Sequence, residues 1–140
     1  MREILFRGQT RKKGEKVRLD GSPVDSNWVY GGVLQGEGDF SIIYQTEPKI
    51  EKFSVYSDTL GQYTGLLDKN GTKIFEGDIL KTNKFSEPNK QYIVKFDLQF
   101  GAFIGEDNFN IYFITFDGDS DQFEVIGNIY DNPELLKQEG

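Results

Sequence analysis

The chain has 140 residues and a formal net charge of −7, and 14% of its residues are aromatic, but it contains no Cys and no His. A chain of this length can bury a core as one domain or as two small ones. Without His and Cys, the sequence excludes Ser-His and Cys-His nucleophile pairs, Cys/His zinc sites and an imidazole switch near neutral pH. We therefore expect a protein that is not an enzyme, with no catalytic or metal-binding residues and no cofactor.

The distribution of apolar residues bears on localisation. No run approaches 18 apolar residues, so the sequence predicts no membrane-spanning helix. The first residues, MREILFRG, place charges inside their short apolar run, which is not typical of a secretory signal. The absence of Cys is compatible with a reducing compartment. We expect a cytoplasmic protein that does not associate with membranes.

The residues before position 60 predict short strands rather than helices. Apolar residues alternate with polar ones in the first of these, with Ile4 and Phe6 on one face. The Gly31-Gly32 pair indicates a bulge or a close approach of another backbone, and residues 57–59 could form one helical turn before Gly61. The predicted strands cover residues 2–11, 28–34, 40–44 and 50–55.

Turn and strand signals are most concentrated in residues 62–81, QYTGLLDKNGTKIFEGDILK. Asn70-Gly71 is a strong hairpin signal, because both residues accept positive φ at little cost. Glu76-Gly77-Asp78 predicts a second turn, in which Asp78 accepts a backbone N–H. Each marked residue of this segment has a predicted structural role: Gly65, Asn70, Gly71, Gly77 and Asp78.

The second half predicts about five strands at short, regular intervals, which is typical of a small barrel or a sandwich. They begin at Ile79 and continue through residues 92–96, 102–104, 111–116 and 123–129. Near the C-terminus, Asn132 is the predicted N-cap of a short helical turn, with Pro133 at its first position. The chain is therefore predicted to be mainly β, with little helix.

Basic residues are concentrated at the start of the chain. Residues 1–18 hold seven basic and two acidic side chains, a net charge of +5, whereas residues 19–140 hold nine basic and 21 acidic ones, a net charge of −12. Such a segment could contact nucleic-acid phosphates, although the favoured interpretation is that these charges decorate the solvated face of an exposed strand and turn. The candidate nucleic-acid-binding residues are Arg2, Arg7, Arg11, Lys12, Lys13, Lys16 and Arg18, with Lys69, Lys73, Lys81 and Lys84 as candidates for extending the same surface.

Three other groups of residues have both a chemical and a structural interpretation. Asp117, Asp119 and Asp121 match the start of a calcium loop, but Gln122 and Asn128 stand where that loop needs Gly and Glu, so a hairpin turn is favoured. Glu76 and Asp78 could form an acid/base pair, yet a solvated turn explains them. The aromatic residues between 96 and 116 could stack on bases, but no Lys or Arg lies between Phe96 and Gly127, so a core role is favoured. These aromatic residues are Phe96, Phe100, Phe103, Phe109, Tyr112, Phe113 and Phe116.

Three segments, in order along the chain, resemble the YopX protein family of phages and prophages. They are MREILFRG with Trp28–Gly31 downstream, LGQYTGL running through Asp68, Gly71 and Glu76-Gly77-Asp78-Ile79, and the ending VIGNIYDNPELL. The resemblance implies an N-terminal β-rich segment over residues 1–59 and an SH3-like barrel over residues 60–140, in two domains or one continuous domain. The family offers no established activity or catalytic residues.

The expected function is that of a phage or prophage accessory protein, a non-catalytic module that binds an unidentified protein or a second copy of itself. The alternative is a module that associates with nucleic acid through its basic N-terminal segment. Likeness of fold alone does not separate the two.

Overall fold

The computed structural model describes residues 3–82, 90–107, 111–113 and 123–138, without the side chains of residues 35–37, 111–113 and 137–138. The chain is mainly β, and its described residues form antiparallel strands and two short 3₁₀ helices at Ser57–Thr59 and Pro133–Gln138. The strands are β1 (Phe6–Arg11), β2 (Asn27–Glu37), β3 (Phe40–Gln45), β4 (Glu51–Tyr56), β5 (Gly61–Leu67), β6 (Lys73–Phe75), β7 (Asp78–Thr82), β8 (Gln91–Asp97), β9 (Ala102–Glu106), β10 (Ile111–Phe113) and β11 (Phe123–Asn128).

The chain divides into two compact units, Met1–Gln62 and Tyr63–Gly140. The predicted boundary at residues 59 and 60 lies a few residues earlier, before β5 begins. Strand β5 passes through the division: its first two residues pair with β1, and Tyr63 and Leu67 pair with β6.

The first unit is an antiparallel sheet in the order β4-β3-β2-β1, with the start of β5 beside β1. The sheet curls so strongly that β4 lies against β1, since a Cβ on Gly8 would be 2.8 Å from Val55 Cγ2. Val29, Ile43 and Val55 form its core. Val33, Phe53 and Leu60 pack around that core from its edge.

The first strand is shorter than predicted and differs in its buried face. Its pairing with β2 begins at Phe6, opposite Gly31, so Ile4 lies outside the ladder and is 71% exposed. Arg7 and Gln9, on the face expected to be mixed, are buried. The Gln9 N–H donates to Thr59 Oγ1 at 2.9 Å, which satisfies a polar group that burial would otherwise leave without a partner.

The second unit contains the β5–β6 hairpin and a five-stranded sheet in the order β10-β9-β8-β7-β11. Its described strands do not form a closed barrel, because β10 and β11 are the two ends of that order. The last strand, β11, returns to pair with the first, β7. The core of this unit contains Leu66, Ile74, Leu80, Tyr92, Val94 and Phe123.

Candidate functional site

The central hairpin is built around one buried carboxylate, that of Asp68. Its Oδ1 accepts the N–H groups of Asn70 at 2.8 Å and Thr72 at 2.9 Å, which fixes the turn between β5 and β6. Its Oδ2 accepts the N–H of Val125 at 2.9 Å, and this bond ties the turn to β11. Gly71 has φ +82°, a value that glycine adopts without strain. Asp68 therefore has a structural role that the sequence pattern assigned only to its neighbours.

The second turn packs against the C-terminal motif. Asp78 Oδ2 accepts the N–H of Phe75 at 2.8 Å across the turn. Gly77 has φ +88°, and a Cβ on it would lie 2.8 Å from Tyr130 Cε2. The Ile129 N–H donates to the Gly77 carbonyl oxygen at 2.9 Å. Glu76 and Asp78 thus belong to a turn that is held in place by packing, and Asp78 is buried and bonded to backbone.

The C-terminal motif folds back on itself and leads into a short helix. The 3₁₀ helix begins at Pro133, directly after Asn132, as predicted. The Asn132 side chain points back along the chain, where its Oδ1 accepts the N–H of Asn128 at 3.1 Å. Asn128 Oδ1 accepts the N–H groups of Tyr130 and Asp131. A Cβ on Gly127 would lie 2.6 Å from Asn132 Oδ1, so glycine allows this close approach.

The candidate basic residues at the start of the chain lie in different environments. Arg7 is buried, and its guanidinium carbon lies 4.5 Å from the centroid of the Trp28 ring, so it does not face solvent with the others. Arg11 Nε donates to the Asp25 carbonyl oxygen, and Arg18 donates to that of Pro23. Arg2 and Lys84 lie outside the described residues.

Residues 12–25 form a hairpin-like excursion between β1 and β2, closed by a bridge between Val17 and Pro23. Lys13 and Lys16 are exposed on it. At its tip, Asp20 Oδ1 accepts the N–H and the hydroxyl of Ser22, and these hydrogen bonds lower the pKa of the Asp20 carboxyl. Leu19 is fully exposed at the tip.

The excursion also contributes to a polar cleft in the first unit. Lys12 Nζ lies 2.9 Å from Asp58 Oδ2 and 4.6 Å from the centroid of the Tyr56 ring. The Tyr56 hydroxyl donates to Glu15 Oε1, a hydrogen bond that raises the pKa of Tyr56. Phe40, which is 55% exposed, stacks beside Tyr56. In this cleft the Lys12 ammonium is thus paired with Asp58, and the Glu15 carboxylate accepts the Tyr56 hydroxyl.

The aromatic residues of the second half are divided between core and surface. Phe103 is buried and meets Phe96 edge-on, with ring centroids 5.0 Å apart. Phe96 is 41% exposed, Leu98 89% and Phe100 54%, so the end of β8 and the turn between β8 and β9 present three apolar side chains to solvent. Phe109 and Phe116 lie outside the described residues, as do the side chains of Tyr112 and Phe113.

The sequence between 114 and 122, which contains Asp117, Asp119 and Asp121, lies outside the described residues. Among the residues that are described, no group of three carboxylates could hold a metal ion. No helix in the described part of the chain is long and apolar enough to cross a bilayer.

Sequence reasoning missed three features: the Asp68 carboxylate, the exposed β8–β9 turn and a cleft beside Tyr44. Of these three, the cleft beside Tyr44 was indicated in the sequence by the Gly31-Gly32 pair. A Cβ on Gly31 would run into the Tyr44 carbonyl oxygen, so of the two alternatives the close approach of another backbone is confirmed. The irregularity of the β2–β3 register lies further along, between Val33 and Gln35.

These elements define a small antiparallel β protein with structured turns and two separate cores. The chain belongs to the YopX family, described as "YopX protein", whose model matches residues 25–137. It is also similar to the crystal structure of protein EF1440 from Enterococcus faecalis, with 23% sequence identity, a TM-score of 0.51 and coverage of 97% of this chain and 99% of that one. At this identity the likeness supports the fold alone. No curated protein matches the chain.

Proposed function

We propose that this protein is a non-catalytic protein-interaction module that docks on its partner through the turn between β8 and β9. It acts as an accessory protein of a phage or prophage in the bacterial cytoplasm. The observation that carries the proposal is the exposure of Leu98 and Phe100, at 89% and 54%, on a turn whose backbone is held by hydrogen bonds.

The turn is ordered before any partner arrives. Asp97 Oδ1 accepts the N–H groups of Gln99 at 2.8 Å and Phe100 at 3.1 Å, and the Gly101 N–H donates to the Asp97 carbonyl oxygen at 2.8 Å. The rings of Phe96 and Phe103 meet edge-on at the base of this turn. A preorganised turn loses little conformational entropy on binding, so more of the burial energy contributes to affinity.

The chemistry of the turn specifies the partner's surface. Burying a Leu or Phe side chain contributes about 1.5–3 kcal/mol, and such residues act as interface anchors when they fill a pocket. No Lys or Arg lies between Phe96 and Gly127, and the chain carries a net charge of −7. The partner therefore offers an apolar recess with a basic rim, because complementary charge favours encounter and orientation.

The same unit is proposed to be an SH3-like barrel. Its strand order supports this: β7, β8, β9 and β10 follow one another as a meander, and β11 returns beside β7. A closed or nearly closed sheet would leave loops such as the β8–β9 turn free to contact partners.

The test places a photo-crosslinking amino acid at position 98 of the full chain in the producing bacterium, with position 19 as the matched control. Leu19 is also fully exposed on a tight turn, but it lies in the first unit. Adducts formed at position 98 and not at position 19 identify the partner.

The affinity of that purified partner is then measured for the wild type, Leu98→Asp and Leu19→Asp. We expect Leu98→Asp to weaken binding about 10- to 150-fold, the equivalent of about 1.5–3 kcal/mol. Leu19→Asp should leave it within about twofold, as expected of a surface site outside the interface. Equal effects of the two variants, or equal crosslinking at the two positions, would refute docking through this turn.

The exposure of Lys13 and Lys16 favours a second candidate, association with nucleic acid through the excursion at residues 12–25. Binding that depends on phosphate contacts is strongest at low salt. A fluorescent single- or double-stranded oligonucleotide should then bind at about 50 mM salt and dissociate as salt rises, and Lys13→Gln with Lys16→Gln should reduce the salt dependence. No retention at about 50 mM salt eliminates this candidate.

A further inference from the structure

A second cleft of the first unit, with a volume of about 430 Å³, has aromatic and acidic walls. It opens between the residues that precede β1 and the adjoining parts of β2 and β3. The side chains that matter to its chemistry are two tyrosines and two glutamates: Tyr30, Tyr44, Glu3 and Glu47.

Two of the residues that line this cleft, Gly31 and Gly32, have no side chains. Gly32 stands opposite Tyr44 in the β2–β3 ladder, and a Cβ on Gly32 would lie 2.9 Å from Tyr44 Cε1. The Tyr44 ring therefore lies directly across the β2 backbone, and Gly31 lets the Tyr44 main chain approach even more closely. Any larger residue at these two positions would collide with Tyr44.

Two of the wall groups have no partner within the described part of the chain. Neither the Tyr44 hydroxyl nor the Glu47 carboxylate makes a hydrogen bond or an ion pair there. Glu47 is exposed and Tyr44 is half-buried, so a ligand can reach both.

Elsewhere in the first unit, basic side chains of the chain itself lie over aromatic rings. Lys12 Nζ lies 4.6 Å from the Tyr56 ring centroid while it pairs with Asp58 at 2.9 Å. The Arg7 guanidinium lies 4.5 Å from the Trp28 ring centroid. The cleft at Tyr44 offers the same two elements, a ring face and a carboxylate, to a cation supplied from outside.

We propose that this cleft binds the cationic side chain of an arginine from another polypeptide, with lysine as the weaker ligand. A planar guanidinium can stack on the Tyr44 ring and at the same time donate hydrogen bonds to the Glu47 carboxylate. An ammonium group makes the same contacts with a less suitable shape. The inference concerns a different surface from the β8–β9 turn and does not depend on it.

The cation nearest to this site in the ladder is Lys52, which stands opposite Tyr44 on β4. Lys52 is exposed, does not line the cleft and makes no ion pair with a described residue. Its charge repels a bound arginine, so its removal should leave binding unchanged or strengthen it.

The test is a titration of the ¹⁵N-labelled full chain with N-acetyl-arginine amide, followed by amide chemical shifts. The control ligand is N-acetyl-citrulline amide, which has nearly the same shape without the charge. We expect saturable shifts at the Gly31 and Gly32 amides with the arginine compound, smaller ones with its lysine analogue and none with citrulline. Added salt should weaken the binding, because the carboxylate is exposed.

Variants assign the contacts. Tyr44→Leu removes the ring face and Glu47→Gln removes the charge, and each should weaken binding about 2- to 5-fold, the range for exposed cation–π contacts and surface ion pairs. Lys52→Gln should bind as well as the wild type or more tightly. Glu134→Gln, at an exposed carboxylate of the second unit, is the matched control and should have no effect.

Equal shifts with arginine and citrulline would overturn the proposal, as would unchanged affinity in both Tyr44→Leu and Glu47→Gln. Loss of binding in Lys52→Gln would also overturn it. The amide spectrum of each variant shows whether it is folded. Because the probe is a small molecule and no protein partner is involved, failure here leaves the crosslinking result at position 98 unaffected.

Discussion

Replacing Asp68 should destabilise the protein far more than replacing an equivalent turn residue elsewhere. Its carboxylate accepts three backbone N–H groups, at 2.8 Å from Asn70, 2.9 Å from Thr72 and 2.9 Å from Val125. Only 6% of the residue is exposed. Asp68→Ala therefore removes a buried charged acceptor that joins the β5–β6 turn to β11.

The size of the destabilisation by Asp68→Ala depends on which of the three N–H donors water can reach once the carboxylate is gone. A hydrogen bond to a charged group contributes about 1.5–3 kcal/mol, and a buried donor left without a partner costs about 1–3 kcal/mol. The turn N–H groups of Asn70 and Thr72 belong to exposed residues and can be hydrated, whereas the N–H of Val125 lies on the edge of β11 that meets the β5–β6 turn and is partly buried there. We expect Asp68→Ala to lower the free energy of unfolding by about 3–4 kcal/mol, a large fraction of a typical total.

Asp97→Ala is the matched control. The Asp97 carboxylate likewise accepts two backbone N–H groups within its own turn, but among the described residues it has no third bond to another strand. Its loss should cost about 1 kcal/mol, the usual effect of removing a local cap. The assay is urea denaturation followed by circular dichroism, since the single tryptophan, Trp28, lies in the first unit and does not report on this one.

Hydrogen exchange at the Val125 amide provides a local check, and exchange there should accelerate in Asp68→Ala. Asp68→Asn keeps an oxygen acceptor for the turn but turns an amide donor toward the Val125 N–H, so we expect a loss of about 2 kcal/mol. If Asp68→Ala and Asp97→Ala destabilise equally, or if exchange at Val125 is unchanged, the bond to β11 does not stabilise the protein and the reasoning is wrong.

Further predictions concern the second turn and the polar cleft. Gly77→Ala should lower the free energy of unfolding by about 2–4 kcal/mol, measured by urea denaturation, because the new Cβ adds positive-φ strain to a clash with Tyr130. Gly71→Ala, with nothing within 4 Å of its Cβ, should lower it by only about 1 kcal/mol. Equal losses in the two variants would refute the role of packing against Tyr130. Glu15→Gln should lower the pKa of Tyr56 toward its ordinary value, because the accepting carboxylate is removed, and titration of the tyrosine by NMR measures it. The raised pKa of Tyr56 means that its contribution to stability is present below the pKa of the unfolded chain and is lost as pH rises through the folded value. A Tyr56 pKa that does not change in Glu15→Gln contradicts the assignment of the hydrogen bond.

Local turn chemistry accounts for much of what the sequence predicted. Asn70-Gly71 lies between β5 and β6, and the turn at residues 76–78 separates β6 from β7, as their residue types indicated. Among the described residues from Asp78 onward there are five strands, and the C-terminal helix is short. These features depend on residues within a few positions of one another, and such interactions are encoded in the local sequence.

Partners that are distant in the sequence were not predictable. The first strand looked as if Ile4 and Phe6 defined its inner face, but the ladder with β2 starts at Phe6, and Arg7 is buried against Trp28. Here local propensity gave way to a tertiary contact.

For the candidate sites too, some features were determined by the sequence and others only by the tertiary structure. The sequence by itself determined a mainly β chain of the YopX family, without His or Cys chemistry, whose charge is basic at the start and acidic thereafter. Only the tertiary structure decided which aromatic residues reach solvent, because Phe96 and Phe103 follow similar patterns and differ in burial. The tertiary structure alone also placed the Tyr44 ring across Gly32. Burial and cross-strand proximity depend on strand order and register, which the alternation of residue types along one strand does not specify.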